Sequence, residues 1–206
     1  MAEYTGFFDG PQLYGQEEFA RYFDNIYESG VSIFENNNLS FDVSASSTGV
    51  NVNKGYAIVK GFYIYNDEVK SIKITRDSNY SRFDRIVLRL DLSSRKVEIK
   101  HILGTLGSSP IAPSLIRNSI NYDIGLAIVK VPKEGAFIVE DTRTDKGVCG
   151  AIRPKNLTEF NQMLNNFKDR FNDWFNNLQG QGWRNIYIQS NKPSTNLEGS
   201  LWKKPI

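Results

Sequence analysis

Arg82-Phe83-Asp84-Arg85-Ile86-Val87-Leu88-Arg89-Leu90-Asp91 decides the fold class. Ile86, Leu88 and Leu90 point one way while Val87 and Arg89 point the other, the period of two expected of a strand with one face in a core. Ser93-Ser94 makes a turn, and Val97, Ile99 and His101 fall on a return strand. The same period extends outward over residues 31–139. Leu39, Phe41, Val43 and Ala45 alternate with polar residues, and Val69, Ile72 and Ile74 do so less regularly. Tyr56-Ala57-Ile58-Val59 and Phe62-Tyr63-Ile64-Tyr65 read as two strands joined at Lys60-Gly61, or as one long strand bent there. Residues 124–131 are almost continuously apolar, which predicts a strand covered on both faces. Gly104, Gly107, Pro110 and Pro113 mark a loop, and Pro132-Lys133-Glu134-Gly135 turns into a short last strand at 136–139. Short strands punctuated in this way predict an antiparallel sandwich or barrel-like sheet.

Two segments break the period. Residues 16–28 read as a helix, with Phe19, Phe23 and Ile26 on one face, Tyr22 and Tyr27 beside them, Glu17 and Glu18 in the first turn and Ser29-Gly30 at the end. Near the other end, Leu157, Phe160, Leu164, Phe167, Phe171, Trp174 and Leu178 recur at alternating steps of three and four. That is a heptad seam on an otherwise polar helix of about residues 156–178, capped by Asn156 or Thr158. Its simplest cover is another copy of itself, and its large aromatic residues suggest a short bundle rather than a long two-stranded rod. Gly180 and Gly182 bracket its end. Residues 183–188 and Leu201-Trp202 read as strands around an Asn191-Lys192-Pro193-Ser194 turn. The expected fold class is therefore α+β: an N-terminal helix and β domain (1–150), a linker and coiled-coil helix (151–182), and a small C-terminal β module (183–206).

A chain of 206 residues can hold one sizeable core plus an appended element. Its 25 basic and 23 acidic residues leave a net charge of +2 with no basic block. Neither nucleic acid nor a membrane surface is an expected partner. Met1-Ala2-Glu3-Tyr4 carries no basic region and no apolar run, and no stretch approaches the length of a membrane span, so synthesis in a reducing cytoplasm is the expectation. Cys149, the only cysteine, can form no internal disulfide, and its neighbours Val148 and Gly150 suggest a small buried residue. His101 is the only histidine, which leaves no ordinary zinc site and no Ser-His-Asp arrangement. Gly104-Thr105-Leu106-Gly107 lacks the lysine of a phosphate loop. Asp84, Asp91, Asp123, Glu140 and Asp141 are the remaining route to an enzyme, a glycosidase pair, but Asp84 sits at a strand entry, Asp91 where that strand turns and Asp141 after a strand end, where carboxylates serve structure. No catalytic residue, metal or cofactor is expected. Tyr63 and Tyr65 share a strand face and, with Trp202, are candidate glycan contacts.

Ordered along the chain stand Gly6-Phe7-Phe8-Asp9-Gly10 and the Tyr14-to-Phe23 segment, then the Arg82-to-Asp91 strand and Pro110-Ile111-Ala112-Pro113. Leu126-Ala127-Ile128-Val129, Asp141-Thr142-Arg143 and Val148-Cys149-Gly150 follow. This series resembles a family of tailed-phage baseplate or tail-tip structural proteins from phages of Gram-positive bacteria. Ile186-Tyr187-Ile188-Gln189 with Gly199-Ser200-Leu201-Trp202 resembles a short module at the ends of phage tail proteins. The resemblance implies a non-enzymatic virion component, a self-associating adaptor, with a trimer favoured. It implies attachment to other baseplate or tail proteins through Phe7, Phe8, Phe19, Tyr22 and Phe23, and contact with a tail fibre or receptor-binding protein. A host cell-wall glycan-binding module and a tail-spike glycosidase are the alternatives. Family members often carry long C-terminal regions that reach toward the host, and the end at Ile206 favours the adaptor expectation.

Overall fold

The structure is a computed structural model that describes residues 6, 13–155, 157–177, 186–194 and 199–205. It divides into two compact units, Met1–Lys155 and Asn156–Ile206.

The first unit opens with helix α1 (Gln16–Ile26), whose Glu18 side chain reaches back to the Gly15 N–H at 2.8 Å and satisfies one of the orphan donors of the first turn. Ten strands follow: β1 (Gly30–Val31), β2 (Val43–Ala45), β3 (Gly49–Val52), β4 (Gly55–Val59), β5 (Phe62–Asn66), β6 (Lys70–Lys73), β7 (Arg82–Asp91), β8 (Lys96–Ile102), β9 (Asn121–Val131) and β10 (Ile138–Asp141). They form three antiparallel sheets in the orders β1-β4-β5, β2-β3-β6 and β10-β9-β7-β8. One hydrophobic core joins all three, with Val31 and Val59 from the first, Val50 and Val52 from the second, and Ile86, Leu88, Ile124, Leu126 and Val129 from the third.

The β4–β5 connection is a two-residue hairpin, because Lys60 and Gly61 both take positive φ, 52° and 79°. Turns of this kind match the twist of the flanking strands, so the segment folds back rather than continuing as one bent strand. The longest ladder, β7 with β9, carries a bulge where the register shifts between Ile86 and Val87. The shift lets Leu126 join the core between Gly125 and Ala127, and it explains why residues 124–131 are almost uniformly apolar. The expected strand over residues 39–45 is shorter than its pattern. Phe41 has φ 59°, so its buried side chain reaches the core from a bend; Leu39 makes an isolated bridge with Ile33, and ladder pairing is confined to β2.

The second unit holds helix α2 (Thr158–Asn177) and the parallel strands β11 (Ile186–Ile188) and β12 (Leu201–Lys203). Leu157 stands in the capping position, its carbonyl accepting the Asn161 N–H at 2.8 Å, in place of Thr158, while Asn156 lies outside the described residues.

The α+β expectation with a coiled-coil segment is corrected. The molecule is mostly β, with four sheets and 38 % strand against 16 % helix in two short helices. Strands are short and separated by polar turns, so they draw less attention in a sequence than a 20-residue seam does. They nevertheless supply most of the core of the first unit, to which α1 contributes no fully buried large side chain.

Candidate functional site

The residues expected to join subunits lie on α2. Leu157 is 38 % exposed, Phe160, Leu164, Phe171 and Trp174 about half exposed, and Phe167 68 % exposed. Leu178 lies outside the described residues. Spacing of three and four places these side chains on one face of the helix, and Phe171 meets Trp174 at 5.6 Å between ring centroids. Phe175, off the seam, stacks on Phe171 at 6.2 Å and widens the aromatic surface. A 20-residue helix is about 30 Å long, and much of that length shows an apolar flank to solvent.

Of the residues expected to attach to a tail, Phe7 and Phe8 lie outside the described residues. Phe19 and Phe23 line an apolar groove of about 370 Å³ between α1, Phe62 and Tyr63 of β5, and the β7–β8 hairpin. Tyr22 does not line it but meets Phe23 edge-on at 5.5 Å. This groove brings Tyr63, expected as a glycan contact, together with two residues expected to dock on a tail.

Tyr63 and Tyr65 are the most solvent-open aromatics among the described residues of the first unit, 68 % and 69 % exposed, on the outer face of β5. Sequence reading missed their third member. Tyr56 of β4 pairs across from Tyr65 and stacks on Tyr63 with centroids 5.9 Å apart and planes 21° from parallel. Burial, with Tyr63 and Tyr27 nearby, pushes the Tyr56 hydroxyl above its ordinary pKa, so it remains a neutral donor and acceptor. The signal was available as Tyr56 and Tyr65 at mirror positions around Lys60-Gly61. Trp202 lies on β12 in the second unit, its indole N–H donating to the Gln189 carbonyl at 2.9 Å.

Four of the five carboxylates considered for hydrolysis are taken up by structural bonds. Asp84 faces the core and bonds Arg82 and His101. Asp123 accepts both donors of Arg89 at 2.7 Å on the opposite face of the sheet. Asp91 accepts the Ser93 and Ser94 N–H groups of its own turn. Asp141 holds Arg143. Among the described residues, no cluster of His, Cys, Asp and Glu could hold a metal ion.

A polar groove of about 590 Å³ runs past Phe34, Asn36, Asn38, Asn53 and Arg143. Arg143 is not available to a ligand there, since all five of its N–H groups are occupied by Asp141, Asp42 and the carbonyls of Leu39 and Ser40.

No protein-family model matches this chain, and no curated protein and no solved structure is similar to it.

Proposed function

We propose that the chain is a non-enzymatic structural protein that self-associates through α2, with three copies favoured. Its place would be a phage tail or tail-like particle, as a connector between the baseplate and a fibre or receptor-binding protein. The placement in a virion rests on the ordered motifs of the sequence. The self-association rests on one observation, the exposed apolar face of α2. Six described seam residues, each about half exposed, would gain about 5 kcal/mol or more per helix on complete burial. Association costs roughly 4–15 kcal/mol for each copy joined, so the seam sits near balance, and three copies are favoured because two helices leave large aromatic side chains partly uncovered that a third can cover. The charged and amide residues around the seam, Asn161, Gln162, Lys168 and Asp173, then form the solvated outside of the bundle.

Size-exclusion chromatography with light scattering tests this. The chain at micromolar concentration elutes as a trimer, and Phe167→Asp converts it to monomer by placing a charge in each seam. A monomeric native chain ends the proposal.

A second reading has a specific observation behind it. Tyr63 and Tyr65 stand exposed on one face of β5, with the half-buried Tyr56 stacked on Tyr63, an aromatic surface of the kind that stacks on sugar rings. It predicts saturable binding to cell-wall polysaccharide that weakens about tenfold in Tyr63→Ala. Unchanged binding in that variant removes this reading and leaves the tyrosines to subunit contact.

A further inference from the structure

Asp24 near the end of α1, Lys60 in the β4–β5 turn, Arg117, Lys146, Arg153 and Lys155 surround one pocket of about 300 Å³ in the first unit. Glu28, Tyr122 and the backbone at Gly150 and Ala151 complete its wall. Five cations thus face two carboxylates, an excess of three positive charges in one small cavity, when the whole chain carries only +2. Asp24 is already shared. Lys60 Nζ lies 3.7 Å and Lys155 Nζ 3.3 Å from its carboxylate, and Lys155 also donates to its carbonyl. Arg117, Lys146 and Arg153 have no carboxylate within ion-pair distance among the described residues, and Glu28 alone stands against them.

Arg117 is held in place rather than free. Its Nε donates to the Asp123 carbonyl at 3.1 Å and its Nη2 to the Val148 carbonyl at 2.9 Å, which leaves Nη1 without a partner among the described residues. Its guanidinium also lies 5.1 Å from the centre of the Tyr122 ring, and Lys60 Nζ lies 5.2 Å from the same ring. The pocket therefore has an aromatic wall between two fixed cations. Cys149, in its lining, stays neutral, since burial pushes its thiol up to about 12, and it adds no competing negative charge.

We propose that this pocket binds a phosphate monoester of a small polyol or sugar. Lys60 and Lys155 outweigh the single charge of Asp24 by one, and Arg117, Lys146 and Arg153 outweigh Glu28 by two, so the excess of three positive charges holds a dianion more strongly than a monoanion such as a carboxylate. Guanidinium N–H groups fit phosphate oxygens, and the pocket supplies Arg153 and the unpartnered Nη1 of Arg117. Tyr122 gives the carbon portion an apolar surface, and the volume is at the lower end of small-molecule sites.

Calorimetry and ¹H–¹⁵N spectra of the full chain at constant ionic strength test this with glycerol 3-phosphate. The comparators are acetate and dimethyl phosphate, both monoanions. The expected result is saturable binding with a Kd on the order of 1 mM or tighter, with amide shifts at Lys60, Arg117, Tyr122 and Arg153. The double variant Lys146→Gln, Arg153→Gln weakens it about tenfold or more. Both side chains are exposed, so this variant keeps the native spectrum. Lys73→Glu, on the exposed edge strand β6, leaves the affinity unchanged. Acetate or dimethyl phosphate binding as tightly as the monoester overturns the proposal, as does the absence of saturation or an equal loss in Lys73→Glu.

Discussion

Asp84 has no solvent-exposed side-chain surface, yet Arg82 Nε lies 2.7 Å away, His101 Nε2 2.7 Å and the Gly104 N–H 3.0 Å. An ionised carboxylate only accepts, so His101 carries its proton on Nε2. Burial alone would raise the Asp84 pKa; the bonds from His101, Arg82 and Gly104 outweigh it and hold the carboxyl below its ordinary value. Its stabilising effect is thus complete above the ordinary carboxylate range and is lost as pH falls through the depressed folded value. Circular dichroism against pH should show a fold steady from about pH 5 to 8 that weakens below about pH 4. Asp84→Asn should cost about 3 kcal/mol at neutral pH, because Arg82 is left buried with its charge unanswered, and should flatten the acid limb. An acid limb as steep in the variant as in the native chain would place the sensitivity in another group. Arg143 is the second such centre. It is buried and ties β10 and its following turn to residues 39–42, about a hundred positions earlier in the chain. Arg143→Met should lower stability by about 2–3 kcal/mol in urea denaturation, from lost charge-assisted bonds and two unpaired carbonyls. The partners Asp42 and Asp141 are about half exposed and rehydrate, which keeps the loss below that of a fully buried pair.

At the scale of elements, α1 sits on the β sheet backbone to backbone. A Cβ on Gly61 would lie 2.0 Å from the Ala20 carbonyl oxygen, and Gly61 has φ 79°. Gly61→Ala therefore meets both a clash and a left-handed backbone. It should cost about 2–4 kcal/mol in thermal or urea unfolding, and α1 should lose amide-exchange protection before the β7–β9 ladder does. Equal stability in this variant would mean that α1 can shift without loss. Elements whose reason is local were legible in the sequence: the β7–β8 hairpin around Ser93-Ser94, and the amphipathic face of α1. Elements whose reason is distant were not. Phe41 leaves the strand pattern because its ring packs beside Gly55, where a Cβ would come within 2.6 Å of it. The extra core position of β9, Leu126, arises from a bulge fixed by pairing with β7. The candidate sites divide in the same way. The α2 seam and the Tyr63–Tyr65 face follow periodicities visible within a few residues. The cationic pocket gathers charged residues from four separate stretches between Asp24 and Lys155, none of which is a basic block on its own.

For the whole molecule, the two units differ in what could hold them together. The first has a core of nineteen buried residues spread over three sheets, enough to order residues 13–155. The second has a helix whose large apolar residues are exposed and a two-stranded sheet of three residues per strand, too little to stand alone in water. If α2 supplies association and the β unit supplies its own stability, the two properties separate on cutting the chain after Lys155. The fragment ending there should remain folded with a melting temperature within a few degrees of the intact protein measured at low concentration. It should be monomeric at every concentration. The intact chain should instead melt at a temperature that rises with concentration, as an assembly linked to folding must. Phe160→Asp and Phe171→Asp, at opposite ends of the seam, should each abolish that rise and leave the β unit's own melting unchanged. A concentration-dependent fragment would move the subunit contact to the β unit, with the apolar groove around Phe19, Phe23 and Tyr63 the first surface to mutate. A fragment that fails to fold would show that the core of the first unit depends on the segment beyond residue 155.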